Sequence, residues 1–193
     1  MWFRKTNFVA AGRRACRLQP PSIGRHGGLP LRLAAVAAAI FSISLSVRAQ
    51  VQVGDRFPSL ADAGLTGGAL PPTEGRVVLV DFWASWCAPC KASFPAFARI
   101  NADLAGRGLS IVAVSVDEKE SAYAAFVKKM HPPFAALHDA AQKLVGTVKV
   151  PAMPTSYLLG RDGRVRFVHQ GFHGSETEAE LRKEIETLLA EKN

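Results

Sequence analysis

Two cysteines three positions apart stand in the stretch "DFWASWCAPCK", residues 81–91. Cys87 and Cys90 at this spacing can form half of a metal site, close a structural clip, or exchange electrons. A structural zinc site needs four ligands. After residue 49 the chain has no other cysteine, and His131, His138, His169 and His173 fall far downstream without the paired spacing of a ligand set. A clip that closes a loop of two intervening residues constrains the unfolded chain very little, so it stabilises little. A redox pair fits the context better. Cys87 falls where an apolar run gives way to a helix, and the free N–H groups there, with the positive end of the helix dipole, stabilise a thiolate. Pro89 suits the first helical turn, where its missing N–H has no partner to lose. Cys90, one turn in, is more shielded and reaches the same sulfur.

The elements around the pair follow from periodicity. "VVLVDFW", 77–83, is apolar on both faces, the pattern of a central strand covered on two sides. Alternation puts Val77, Leu79, Asp81 and Trp83 on one face and Val78, Val80 and Phe82 on the other. The Asp81 carboxylate is therefore expected to be shielded and its pKa raised. Phe94, Phe97, Ile100 and Leu104 recur at helical spacing, and Gly106 and Gly108 end that helix. A second buried strand is expected over 109–116, then a helix over 121–130 stopped by His131-Pro132-Pro133, and a short helix within 140–150. Strands over 155–159 and 165–171 flank a tight Asp162-Gly163 turn. A last helix begins at Ser175, with Glu178 placed to complete a capping box and Leu181, Ile185, Leu188 and Leu189 as its buried stripe. In 50–76, Gly67-Gly68 reads as the turn of an N-terminal β-hairpin. The fold class is α/β, with a mixed central β-sheet flanked by helices.

Charge divides the chain at residue 49. Residues 1–49 hold eight basic residues (Arg4, Lys5, Arg13, Arg14, Arg17, Arg25, Arg32, Arg48) and no acidic ones, so the whole net charge of +8 belongs to them. The remaining 50–193 is formally neutral and gives no clustered excess of Lys and Arg for nucleic acid. Between Arg32 and Arg48 lie fifteen uncharged residues, 33–47. As a helix they span about 22 Å, short of the roughly 30 Å hydrocarbon core. Val47 and Ala49 supply the small-residue cleavage pattern, so 1–49 is expected to be an export signal cut after Ala49. The alternative is an uncleaved membrane anchor formed by 33–47. Export would remove Cys16 and leave Cys87 and Cys90 where disulfides persist.

The segment "VDFWASWCAPCK" resembles the active-site segment of the thioredoxin superfamily. With "KASFP" and "VPAMPTSYLLGRDGRV", it resembles the exported TlpA/ResA/CcmG-like thiol-disulfide oxidoreductases over roughly residues 53–190. The resemblance implies a thioredoxin-like domain over 50–193, with Cys87 as the nucleophile and Cys90 as the resolving thiol. It implies that Pro154 is a cis-proline facing the cysteines and that the Met153 backbone pairs with a bound peptide. It further implies that Trp86 covers the site, Trp83 packs beneath it and Pro95 kinks the active-site helix. Asp81 would take the Cys90 proton during resolution.

The sequence departs from those relatives in carrying Asp81, an acid they often lack, and in one further place. Where they usually carry a glutamate, three residues after the second cysteine, this chain has Ser93. The lysine that thioredoxin sets near its buried acid has no counterpart in "SIVAVSV". The implied function is reduction of disulfides in periplasmic proteins, in cytochrome c maturation or copper-site assembly. It needs no cofactor beyond the redox-active Cys87–Cys90 disulfide and no metal. The implied partners are exported proteins carrying disulfides and a membrane thiol-electron donor, with the chain acting as a monomer. The alternative from a different class is a Cu(I) metallochaperone built on Cys87, Cys90 and Met153, a soft three-sulfur set. A peroxidase is disfavoured because the Thr-x-x-Cys setting is absent.

Overall fold

Every residue of β1, Val77–Trp83, is buried, and the rest of the fold is arranged around that strand. The computed structural model describes residues 50–191. The expected export segment and its alternative as an anchor lie outside them. Among the described residues, no helix is long and apolar enough to cross a membrane.

β1 leads into α1, Ala88–Leu104, and then β2, Leu109–Ser115, α2, Glu120–Met130, and β3, Ala135–His138. After these come α3, Lys143–Val148, β4, Thr155–Leu159, β5, Val165–Gln170, and α4, Ser175–Ala190. The strands form one mixed sheet in the order β3-β2-β1-β4-β5. β1 runs parallel to β2 and antiparallel to β4, so the strand leading to the cysteines is central. One face of β1 (Val78, Val80, Phe82) packs with Val112, Val114, Leu144 and Tyr157, closed over by Phe57 and Leu60. The other face (Val77, Leu79) packs against Phe97, Ile100 and Leu104 of α1 and Leu181, Ile185 and Leu188 of α4. Each such buried aliphatic side chain contributes about 1.5–3 kcal/mol.

Three expectations are corrected. The N-terminal hairpin does not form. Residues 50–76 instead make isolated bridges outward, Arg56 to Arg164 and Thr66 to His138, so their backbone groups are used elsewhere. Gly67, at φ 87°, allows a close approach rather than a turn: a Cβ there would stand 2.1 Å from the Tyr123 hydroxyl. Second, β3 is a strand the periodicity did not reveal. "AALH" is short and follows two prolines, and it pairs because β2 offers an edge and Leu137 fills the core. Third, no capping box starts α4. Gly174 is the cap, Thr177 accepts the His173 N–H at 3.0 Å, and Glu178 pairs with Arg99 of α1.

Candidate active site

The turn after β1 places Cys87 as the N-cap of α1. Its backbone is extended (φ −82°, ψ 109°), and its Sγ accepts the Cys90 N–H at 3.2 Å. Pro89 lies in the first turn of α1. Cys87 and Cys90 are joined as a disulfide, both shielded: Cys90 is fully buried and Cys87 is 4 % exposed. The sulfur at the helix N-terminus thus faces an N–H donor and the positive end of the dipole, the setting that favours a thiolate leaving group and nucleophile. Pro95 lies inside α1, where it removes the N–H that would bond the Lys91 carbonyl.

Trp83 is fully buried behind the pair, with ring centroids 5.1 Å from Phe94 and 4.4 Å from Phe126. Trp86 is open to solvent at 70 % exposure, so it adjoins Cys87 as an apolar platform and does not seal the site. Met153–Pro154 is a cis peptide bond at the entry to β4. Met153, half-buried, packs against the same cluster that holds Cys87, Cys90, Trp83 and Phe94. The fold therefore brings together residues separated by more than sixty positions.

Asp81 is fully buried in the middle of the sheet, on the face covered by α1. Its Oδ1 accepts the Ser156 hydroxyl at 2.6 Å, while Oδ2 has no hydrogen-bond partner among the described residues. Burial pushes its pKa up to about 7, and the Ser156 hydrogen bond offsets part of that rise. Ser93, at the position of the relatives' glutamate, is also buried, and its hydroxyl donates to the Cys90 carbonyl at 2.9 Å.

Sequence reasoning missed a second buried acid. Asp117, just beyond β2, accepts from the Ser85 N–H (3.1 and 3.0 Å), the Ser85 hydroxyl (2.8 Å) and the Ser115 hydroxyl (2.8 Å). It pins the loop that delivers Cys87. His138 is buried, stacks on Tyr123 at 4.9 Å and contacts the Asp117 carbonyl at 2.7 Å. The available signal was position: in open α/β sheets, working residues gather beyond the carboxyl ends of the strands. Among the described residues, no group of three or more His, Cys, Asp or Glu side chains is arranged to hold a metal.

A disulfide at a helix N-terminus, with Met153 of a cis Met153–Pro154 bond packed on the same cluster and on this sheet order, defines a thiol-disulfide oxidoreductase with a thioredoxin-like fold. The chain matches the Redoxin family over residues 52–185 and belongs to it. It is 30% identical over 133 residues to the thiol-disulfide oxidoreductase ResA of Bacillus cereus (strain ZK / E33L), covering 68% of this chain and 77% of that protein. ResA of Bacillus subtilis (strain 168) is 28% identical over 143 residues, covering 73% and 80%. The crystal structure of a putative thiol:disulfide interchange protein DsbE from Chlorobium tepidum superposes with a TM-score of 0.64 at 30% identity, covering 73% of this chain and all of that one. StoA from Bacillus subtilis, at 23% identity and a TM-score of 0.52, covering 58% of this chain and 84% of its own, shares the fold.

Proposed function

We propose that the protein is a periplasmic disulfide reductase that needs no cofactor beyond its own cysteines, serving cytochrome c maturation or copper-site assembly. The observation that carries this reading is the Cys87–Cys90 pair at the start of α1, with exposed Trp86 next in the chain and Met153, of the cis Met153–Pro154 bond, packed on the same cluster. The Cys87 thiolate attacks one sulfur of a substrate disulfide, and the other substrate sulfur leaves as a thiolate. A mixed disulfide on Cys87 results. Cys90 then gives its proton to Asp81 and attacks the Cys87 sulfur. The Cys87–Cys90 bond forms, the substrate is released with two electrons gained, and a membrane thiol donor restores the dithiol. The expected export signal over 1–49 and the ResA relatives support the compartment; an exported disulfide-containing protein is the substrate class.

The direction of electron flow is tested by rapid thiol alkylation in the native host. A reductase in steady state holds much of its Cys87–Cys90 pair as dithiol. A pair found wholly oxidised, and staying so when the membrane donor is present, would overturn the reductant role.

A Cu(I) reading is favoured by one observation, the packing of Met153 against the cluster of both cysteines. If three sulfurs bind copper in the reduced protein, Met153→Ala weakens Cu(I) by about tenfold, roughly 1.4 kcal/mol. Equal affinity in competition titrations of the two proteins removes the idea.

A further inference from the structure

The two oxygens of Asp81 differ in their surroundings. Oδ1 accepts a hydrogen bond from the Ser156 hydroxyl at 2.6 Å, and Oδ2 is buried without a partner among the described residues. Ser156 stands directly opposite Asp81 in the β1–β4 ladder and is itself buried. A hydroxyl has one proton to donate, and donating it to Oδ1 leaves that oxygen an acceptor. We propose that Ser156 is a positioning residue for the thiol exchange: its hydroxyl holds the Asp81 carboxylate and reserves Oδ2 as the oxygen that receives the Cys90 proton. This rests on the reading of Asp81 as the proton acceptor.

The surroundings leave Ser156 as the group in charge of Asp81. Of the titratable groups on α1 and its cap, only Cys87 and Cys90 are buried, Lys91, Arg99 and Asp103 being exposed, and Ser93 is spent on the Cys90 carbonyl. β2 presents Leu109, Ile111 and Ala113 on that face, and α4 packs with its apolar stripe. Asp117, beyond β2, is taken up by Ser85 and Ser115. His169 follows Ser156 in register on β5, but its ring is 2.7 Å from Glu184 and 3.9 Å from Glu180. The ion pairs Arg99–Glu178 and Arg182–Asp103 join α1 to α4 at the surface.

The step balances without an added reagent. The Cys90 S–H bond breaks, its proton goes to Oδ2, and the thiolate forms the Cys87–Cys90 bond as the Cys87–substrate bond breaks. The substrate sulfur leaves as a thiolate and carries away the electron pair. Without Ser156 the ionised carboxylate loses its one donor, so it forms only at higher pH.

The test is the pH dependence of resolution in single turnover, followed by release of a model peptide thiol from its mixed disulfide with Cys87. Ser156→Ala should move the midpoint of the limb up by about one pH unit, slowing the step about fivefold at neutral pH. Ser156→Thr, which keeps the hydroxyl, should restore the wild-type midpoint. If the alanine protein does not fold, Ser156→Cys, a weaker donor of similar size, should shift the midpoint in the same direction. Asp81→Asn is the control that separates the two ideas. Loss of the limb in Asp81→Asn with an unmoved midpoint in Ser156→Ala would overturn the role of Ser156 alone. A limb that persists in Asp81→Asn would overturn the Asp81 reading on which it rests.

Discussion

Cys90→Ser should leave the protein able to attack disulfides and unable to let them go. Cys87 keeps its place at the N-terminus of α1 in this variant, because its Sγ takes its hydrogen bond from the backbone N–H of residue 90 and not from the side chain. The first step therefore survives. Resolution normally draws on a thiol one helical turn away, whose effective concentration exceeds by far the millimolar thiols of solution. Removing it slows release on the order of a thousandfold in millimolar external thiol. Covalent adducts through Cys87 should accumulate in the native host, visible on non-reducing gels and assignable by mass spectrometry to exported proteins. Adducts that form instead on Cys90 in Cys87→Ser, with none on Cys87, would reverse the two roles.

What the sequence made legible, and what it hid, divides by the range of the interaction. β1 and β2 stood out because continuous apolar runs have few other homes, and α1 because Phe94, Phe97, Ile100 and Leu104 share one face. The burial of Asp81 was readable from its apolar neighbours on the same strand. Its partner was not, since Ser156 lies 75 positions away and only the β1–β4 register brings the two opposite. Asp117 was hidden for the same reason, as the loop it holds is 32 positions earlier. Gly67-Gly68 misled in the opposite way. A glycine pair is a turn signal locally, yet here Gly67 makes room for Tyr123, whose hydroxyl donates to the Ala136 carbonyl at 2.8 Å and lies 3.2 Å from the Gly67 carbonyl.

Asp81→Asn should separate stability from turnover. Asp81 has a pKa of about 7 in the folded protein, against 3.8 for the ordinary side chain. Below about pH 4 both folded and unfolded chains carry the proton, and burial of the neutral acid costs no ionisation energy. As pH rises from about 4 to about 7 the unfolded chain ionises first and the folded state loses ground. Above about pH 7 the loss is complete, on the order of 4 kcal/mol. Asparagine never ionises, so the variant escapes that loss, although its own amide is left partly unpaired beside Ser156. Urea unfolding should show Asp81→Asn about 2 to 4 kcal/mol more stable than wild type at pH 8, and the difference should vanish or reverse at pH 4. An equal difference at both pH values would mean that Asp81 ionises in the folded protein at the same pH as in the unfolded chain, with no raised pKa. Turnover should move the other way. General acid–base help is worth about a hundredfold or more, so resolution at neutral pH should slow by that order and lose its pH dependence near 7. A side chain whose removal strengthens the fold and slows the chemistry is held in the sheet for the chemistry, with its cost to stability greatest at the pH where it can accept a proton.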